Sequence, residues 1–351
     1  MKRAKGFSLI ELMVALAILL IVVAATLGTL RDAMHTSEAI TKMADVQDNL
    51  RSGLNLMARD IVQAGSGIPI GGILIPYSGA GSPAINRPGP AGLAFPVQST
   101  LTAITPGYTN GPVSLGNATD VITVIYADNT LPWGSMAPIN NPANPACAGL
   151  IAGDGSTITV DTTDAGCTLS TAITGNVKLQ PGDLVMLTSA QGGNIIQQVT
   201  NVIGNVVYFS SGDAFGFNGA VATSGTIQQL KVGGVYPPIS MTRIWMITYF
   251  LNTANPQVPM LVRQVNFNAP QEVGQVMENL QISYDLINWT VAPGIDERQI
   301  VAPDSPSQIR KVNIYLAARS EYPYSVTNQY FRTNLVTQIS MRSLAFQNRY
   351  N

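Results

Sequence analysis

Charge is scarce in this 351-residue chain. Only 11% of its residues are charged, and histidine occurs once, as His35. No run of lysine and arginine marks a nucleic-acid surface, which needs clustered cations. One histidine near the N-terminus leaves none for a Ser-His-Asp or Cys-His arrangement elsewhere. There is no His-Glu-x-x-His zinc motif and no phosphate-binding glycine loop. The loop carboxylates Asp154, Asp161, Asp164 and Asp213 lack the spacing of a calcium loop. No catalytic centre, metal or cofactor is expected, and the chain does not read as an enzyme.

What is present begins at the N-terminus. Lys2, Arg3 and Lys5 form a short basic leader ending in Gly6, and the next 24 residues, 7–30, hold one ionisable side chain, Glu11. At about 1.5 Å per residue this run exceeds a hydrocarbon core of about 30 Å, so it can span with some tilt. The flanking cations place the leader in the cytoplasm and the rest of the chain outside. A secretory signal puts its small-residue cleavage site after the apolar stretch. Here the processing site precedes it, so the hydrophobic segment stays on the mature protein. A carboxylate in a spanning helix costs about 2.5–3.5 kcal/mol at the centre and less near an end. Glu11 therefore calls for a partner cation.

The run Lys5-Gly6-Phe7-Ser8-Leu9-Ile10-Glu11-Leu12-Met13-Val14-Ala15-Leu16 resembles the leader and N-terminal helix of type IV prepilins. The resemblance implies cleavage between Gly6 and Phe7 by a prepilin peptidase, followed by N-methylation of Phe7. It also implies that Glu11 compensates the Phe7 amine of a neighbouring subunit during assembly. Gly28 stands where many pilins carry a proline; glycine also weakens a helix. Loss of the leader would leave 16 basic residues against 20 acidic ones, a net charge of −4. The remaining surface is rich in Ser, Thr, Asn, Gln and Gly. Cys147 and Cys167 both fall in the exported part, where an oxidising compartment permits a disulfide. Their pairing would stabilise the fold by roughly 3 kcal/mol if unstrained; two free thiols are the alternative, and zinc has no nearby histidine to join them.

The helix is expected to run on past the membrane. Ile40, Met43, Val46, Leu50, Leu54, Met57, Ile61 and Ala64 recur every three or four residues and make one apolar face. Gly65-Ser66-Gly67 before Ile68-Pro69 is a stop signal. Residues 7–64 would form a stalk of roughly 85 Å at 1.5 Å per residue. Within it, 56–65 is similar to the corresponding region of PilW-type minor pilins and holds Arg59 and Asp60. Adjacent helical residues point about 100° apart, so each of these two would meet its own strand or loop, or remain a solvated charge.

Beyond the stalk, 65–117 is dense in turn residues and is read as short strands or a packed Ω-like excursion. Strands are expected at 120–126, 157–160, 184–187, 195–199, 206–209, 244–250, 260–265 and 309–316. The middle group suggests an inserted β-meander. Residues 276–287 could begin helical and end as a strand. Closing strands near 331–333 and 336–342 resemble PilW-type proteins. The expected fold is α+β and type IV pilin-like, a long N-terminal helix packed on an antiparallel sheet with a loop-rich β insertion. Its parts are a leader (1–6), a membrane or filament-core helix (7–30), an amphipathic stalk (31–64), the insertion (65–231) and a C-terminal sheet region (232–351).

The resemblance implies a minor type IV pilin acting in pilus assembly or initiation, with the tip as one location it allows. A pilus-displayed adhesin and a minor pseudopilin of type II secretion are the alternatives. Implied partners are other major and minor pilins, the prepilin peptidase, the inner-membrane assembly platform and membrane lipid. The implied location is the inner membrane, single-pass with a cytoplasmic N-terminus, and then the periplasmic and extracellular pilus.

Overall fold

A computed structural model describes residues 8–76, 85–128, 137–139, 150–160, 162, 171–175, 178–219 and 225–342. Gly6, Phe7, Asp161, Asp164, Cys147 and Cys167 lie outside the described residues, and with them the cleavage site and the disulfide.

One helix, α1 (Leu9–Gln63), runs unbroken for 55 residues and passes through Gly28 without interruption. It stops where the sequence supplies glycine. Gly65 and Gly67 take φ of 77° and 69°, a conformation that costs glycine little. The Gly65 amide then donates to the Ile125 carbonyl at 2.8 Å, turning the chain onto the sheet.

Short strands follow: β1 (Ile73–Leu74), β2 (Thr100–Leu101), β3 (Ile104–Thr105) and the hairpin β4 (Val113–Ser114) with β5 (Asn117–Ala118). Next come β6 (Ile122–Ala127), β7 (Ala137–Ile139), β8 (Leu150–Ile151), β9 (Thr157–Thr159), a single turn α2 (Thr171–Thr174), β10 (Leu184–Ser189), β11 (Asn194–Gln198), β12 (Asn201–Ile203) and β13 (Val206–Tyr208). The C-terminal third holds β14 (Ile239–Asn252), β15 (Met260–Val265), β16 (Gln271–Gly274), β17 (Met277–Leu286), β18 (Ile309–Arg319) and β19 (Arg332–Ser340).

The architecture is α+β. β14 organises it. Its apolar run is buried on both faces, the pattern of a central strand. Ile247 pairs with Val265 of β15 on one edge and Val124 of β6 on the other. Further toward its start, Met241 pairs with Leu187 of β10 and Ala137 of β7. One long strand thereby joins two β regions into a single sheet, ordered β16-β15-β14-β10-β11-β1-β2 along its main path. β6 lies within 65–231 yet pairs centrally with β14, and its Ile122 and Val124 belong to the core beneath α1. The expected meander is divided: β12, β13, β9 and β8 form a separate four-stranded sheet, while the β10–β11 hairpin joins the large one.

A second sheet, β17-β18-β19, closes the other side of the helix. The helical start expected for 276–287 does not occur. Buried and half-buried side chains alternate along β17 from Leu280, the period of a half-buried strand, and pairing with β18 runs its whole length. On β18, Val312, Ile314 and Leu316 face inward as their alternation predicts. Val46, Leu50, Met57 and Ile61 of α1 share one core with Tyr249 and Leu261 of the large sheet and with Ile282, Tyr284 and Ile314 of the small one. Ile40 and Met43, expected to extend that buried stripe, are exposed, because at that level only the loop after β18 reaches the stalk, on the side of His35 and Lys42.

Candidate assembly helix and its anchorage

The two halves of α1 live in different surroundings. Every described residue from 8 to 34 is exposed, and this stretch holds an 18-residue window apolar enough to cross a membrane with none of it buried. A monomeric soluble protein rarely shows so long a bare apolar surface; such a surface marks a lipid or protein contact. Glu11 sits in the first turn of the helix and accepts a hydrogen bond from the Ser8 amide at 3.0 Å. The carboxylate is thus aimed at the positive end of the helix dipole.

The second half is fixed to the sheet by Asp60, which is 2% exposed. Its Oδ2 accepts from Arg263 Nε at 2.7 Å and from the Tyr249 hydroxyl at 2.6 Å. Its Oδ1 lies 3.4 Å from the Tyr126 hydroxyl. Three strands, β15, β14 and β6, therefore converge on one helical carboxylate. A buried charge needs this degree of pairing to be tolerated. Burial, and then the Asp60 charge, push the Tyr126 phenol up to about 12 and the Tyr249 phenol far above its ordinary value. Burial draws the Arg263 guanidinium down, but its bonds to Asp60 outweigh that and hold the proton more tightly than usual. Seven residues up the helix, Gly53 lets the backbone approach β15; a Cβ there would meet Leu261 Cδ2 at 2.9 Å.

Arg59 and Asp60 separate as their helical positions require. Asp60 enters the core, while Arg59 stays exposed beside a polar groove lined by Asn49, Ser52, Asn55 and Glu272. Sequence reasoning did not find Arg263, Tyr249 or Tyr126 as the partners of Asp60. They are 66 to 203 residues away in the chain.

The loop after β18 reaches back to His35 on the stalk. His35 Nδ1 is 3.3 Å from Ser325 Oγ, and its ring meets Tyr324 edge-on at 6.4 Å. Ser325 Oγ in turn donates to Glu38 Oε2 at 2.5 Å, and Lys42 Nζ donates to the Pro323 carbonyl at 2.7 Å. A serine and a histidine meet here after all, but the serine proton is directed at Glu38. Glu38 is held below the ordinary carboxylate range by its hydrogen bonds to Ser325 and Lys42. The contact is a strap between loop and stalk. Among the described residues no group of three or more His, Cys, Asp and Glu side chains is placed to hold a metal.

Comparison with known families gives one match, the prokaryotic N-terminal methylation motif, over residues 1–27. At its N-terminus the chain is type IV pilin-like or pseudopilin-like. No curated protein and no solved structure matches the chain. The motif and the long apolar helix together fit membrane anchoring.

Proposed function

We propose that this protein is a minor type IV pilin of the PilW type that takes part in assembling or initiating the pilus, without catalytic activity. The carrying observation is the bare apolar half of α1, continuous with a half clamped by Asp60 and headed by a prepilin methylation motif. Such a helix can reside in lipid as a precursor and then pack on the helices of other pilins, while the clamp transmits that packing to the globular part. The prepilin peptidase would cut between Gly6 and Phe7 and leave an N-methylated Phe7. Glu11 would then compensate the Phe7 amine of the neighbouring subunit, exchanging the Ser8 amide it caps in the single chain. Partners in this reading are major and other minor pilins, the inner-membrane assembly platform and lipid.

The test is genetic and biochemical. Deleting the gene should lower pilus number, and the wild-type gene should restore it. Glu11→Ala should leave the protein in the inner membrane, because the apolar run inserts without the carboxylate, and should reduce its recovery in sheared pili. Equal recovery of variant and wild type would remove Glu11 from assembly. A deletion that leaves pili intact but stops secretion would favour the type II pseudopilin reading, since the motif serves both systems.

A further inference from the structure

The loop after β18 descends along the stalk toward the apolar run. Lys42 Nζ donates to the Pro323 carbonyl at 2.7 Å, and further along the loop Ser325 meets Glu38 and His35. Lys42 and His35 are seven residues apart, a descent of about 10 Å at 1.5 Å per residue. There the loop turns back. The Asn328 amide donates to the Tyr324 carbonyl and the Tyr324 amide to the Gln329 carbonyl, each at 2.8 Å. Asn328 takes a φ of 55°, a left-handed conformation that asparagine tolerates. Val326 and Thr327 form the tip of this turn. Both are exposed, Val326 to 58%.

The level of this tip follows from the helix. Between Glu11 and Arg31 lie 19 uncharged residues, about 28 Å of helix, which matches a hydrocarbon core of about 30 Å. Leu30 therefore stands at the edge of that core. His35 is five residues further on, about 7.5 Å, and the headgroup layer on each side is about 5–7 Å deep. The tip thus hangs where the headgroups end, and a tilt of the helix toward the loop brings it among them.

The composition suits that level. Residues 322–331 carry no charge and include Tyr322, Tyr324, Tyr330 and Phe331. Tyrosine is enriched where membrane meets water, its ring apolar and its hydroxyl wet. None of these ten side chains joins an apolar core of the described chain. The loop leans on the stalk through hydrogen bonds, and a cavity of about 660 Å³ bordered by Ser37, Thr41, Lys42 and Tyr322 lies between them. Tyr330 stacks over Arg319 at 4.0 Å, and Tyr324 packs on Phe331 at 5.4 Å. These contacts fix the base of the loop and leave its tip bare.

We propose that the tip, Val326 and Thr327 with Tyr324 behind them, rests in the headgroup layer of the membrane that α1 spans, as a second lipid contact beside the helix. Two contacts fix the tilt of the globular part over the bilayer before assembly. The proposal rests on the membrane-spanning reading of α1, and the experiment separates the two. The intact protein is reconstituted in vesicles of phosphatidylethanolamine and phosphatidylglycerol. It carries the photo-crosslinker p-benzoylphenylalanine in place of Val326, Val14 or Val97, one position at a time. Val14 lies in the apolar run, and Val97 is exposed on the globular part. Lipid adducts, read by mass spectrometry, should form from positions 326 and 14 and be absent from 97. Should the Val326 replacement misfold, the same probe at the exposed Thr327 carries the test by the same pattern. Adducts from 14 without adducts from the tip would overturn the proposal and leave the span intact. Adducts from neither would overturn both. Adducts from all three positions, or tip adducts to a second copy of the chain in place of lipid, would show no selective lipid contact and overturn the proposal alone.

Discussion

Asp60 is a carboxylate placed inside an apolar contact, and the arrangement around it sets what its loss should do. Removing one member of a buried ion pair costs about 3–5 kcal/mol, because the other is left uncompensated. Asp60→Ala strands Arg263, which is 18% exposed, and the Tyr249 hydroxyl. The variant should lose stability on that scale in denaturant unfolding of the detergent-solubilised protein; a loss below about 1 kcal/mol would show that the clamp is not a pair. The same cluster dictates an alkaline limb. Tyr126 and Tyr249 are neutral in the fold and titrate above the ordinary phenol value near 10. A group whose folded pKa is raised stabilises fully below its unfolded value and loses that contribution as pH climbs through the folded one. Stability should therefore fall between about pH 10 and 12. Arg87, lowered by burial, acts with the opposite sign in that window, so the comparison must hold it constant. Tyr126→Phe with Tyr249→Phe should flatten the fall relative to wild type, and an unchanged slope would contradict the assignment. Little of this was legible beforehand. Arg59 and Asp60 can be separated by helical geometry alone, but the side chains that meet Asp60 are brought there by strand pairing over long sequence distances. Arg87 sits in a stretch dense in Pro and Gly, which reads as surface turn and not as the site of a buried cation.

At the scale of the element, α1 divides at about residue 45. Above it, Leu50 is completely buried between two sheets, whereas Met43 lies outside that core and is half exposed. Leu50→Ala should cost about 2–5 kcal/mol, as large-to-small core changes do. Met43→Ala should stay within about 0.5 kcal/mol, as surface changes do. Denaturation midpoints of the two variants check this; equal losses would mean that Met43 shares the core that holds Leu50. The stripe from Val46 to Ala64 was readable because a helix face buried along its whole length imposes its period on the sequence. Met43 and Ile40 share the apolar character but not the burial, since the sequence reports a preference for contact and not which contact is present in a single chain. The strand β18 was legible for the same reason of period, and β14 because a short run apolar on both faces reads as a central strand. β17 was misread at its start, where apolar and polar residues mix without a clear period. Its pairing with β18 over ten residues decides it as strand.

For the whole molecule, the α+β class followed from one long apolar helix and many β-rich segments, and the described architecture is of that class. The join between the β regions could not be read. β14 recruits β10 and β15 along one edge and β7 and β6 along the other, a partition that depends on which edges are left open once the helix has docked. The N-terminal forty residues carry the functional reading because their physics is restrictive: a bare apolar helix, one carboxylate in its first turn and a basic leader before it. Everything proposed about assembly rests on that helix being retained after processing, with its new N-terminus at Phe7. Mass spectrometry of the mature N-terminal peptide from membrane or pilus fractions tests this most directly. The account predicts a chain beginning at N-methylated Phe7 with the apolar helix intact; a mature chain beginning near Ala25 would make the apolar run an ordinary cleaved signal and contradict it.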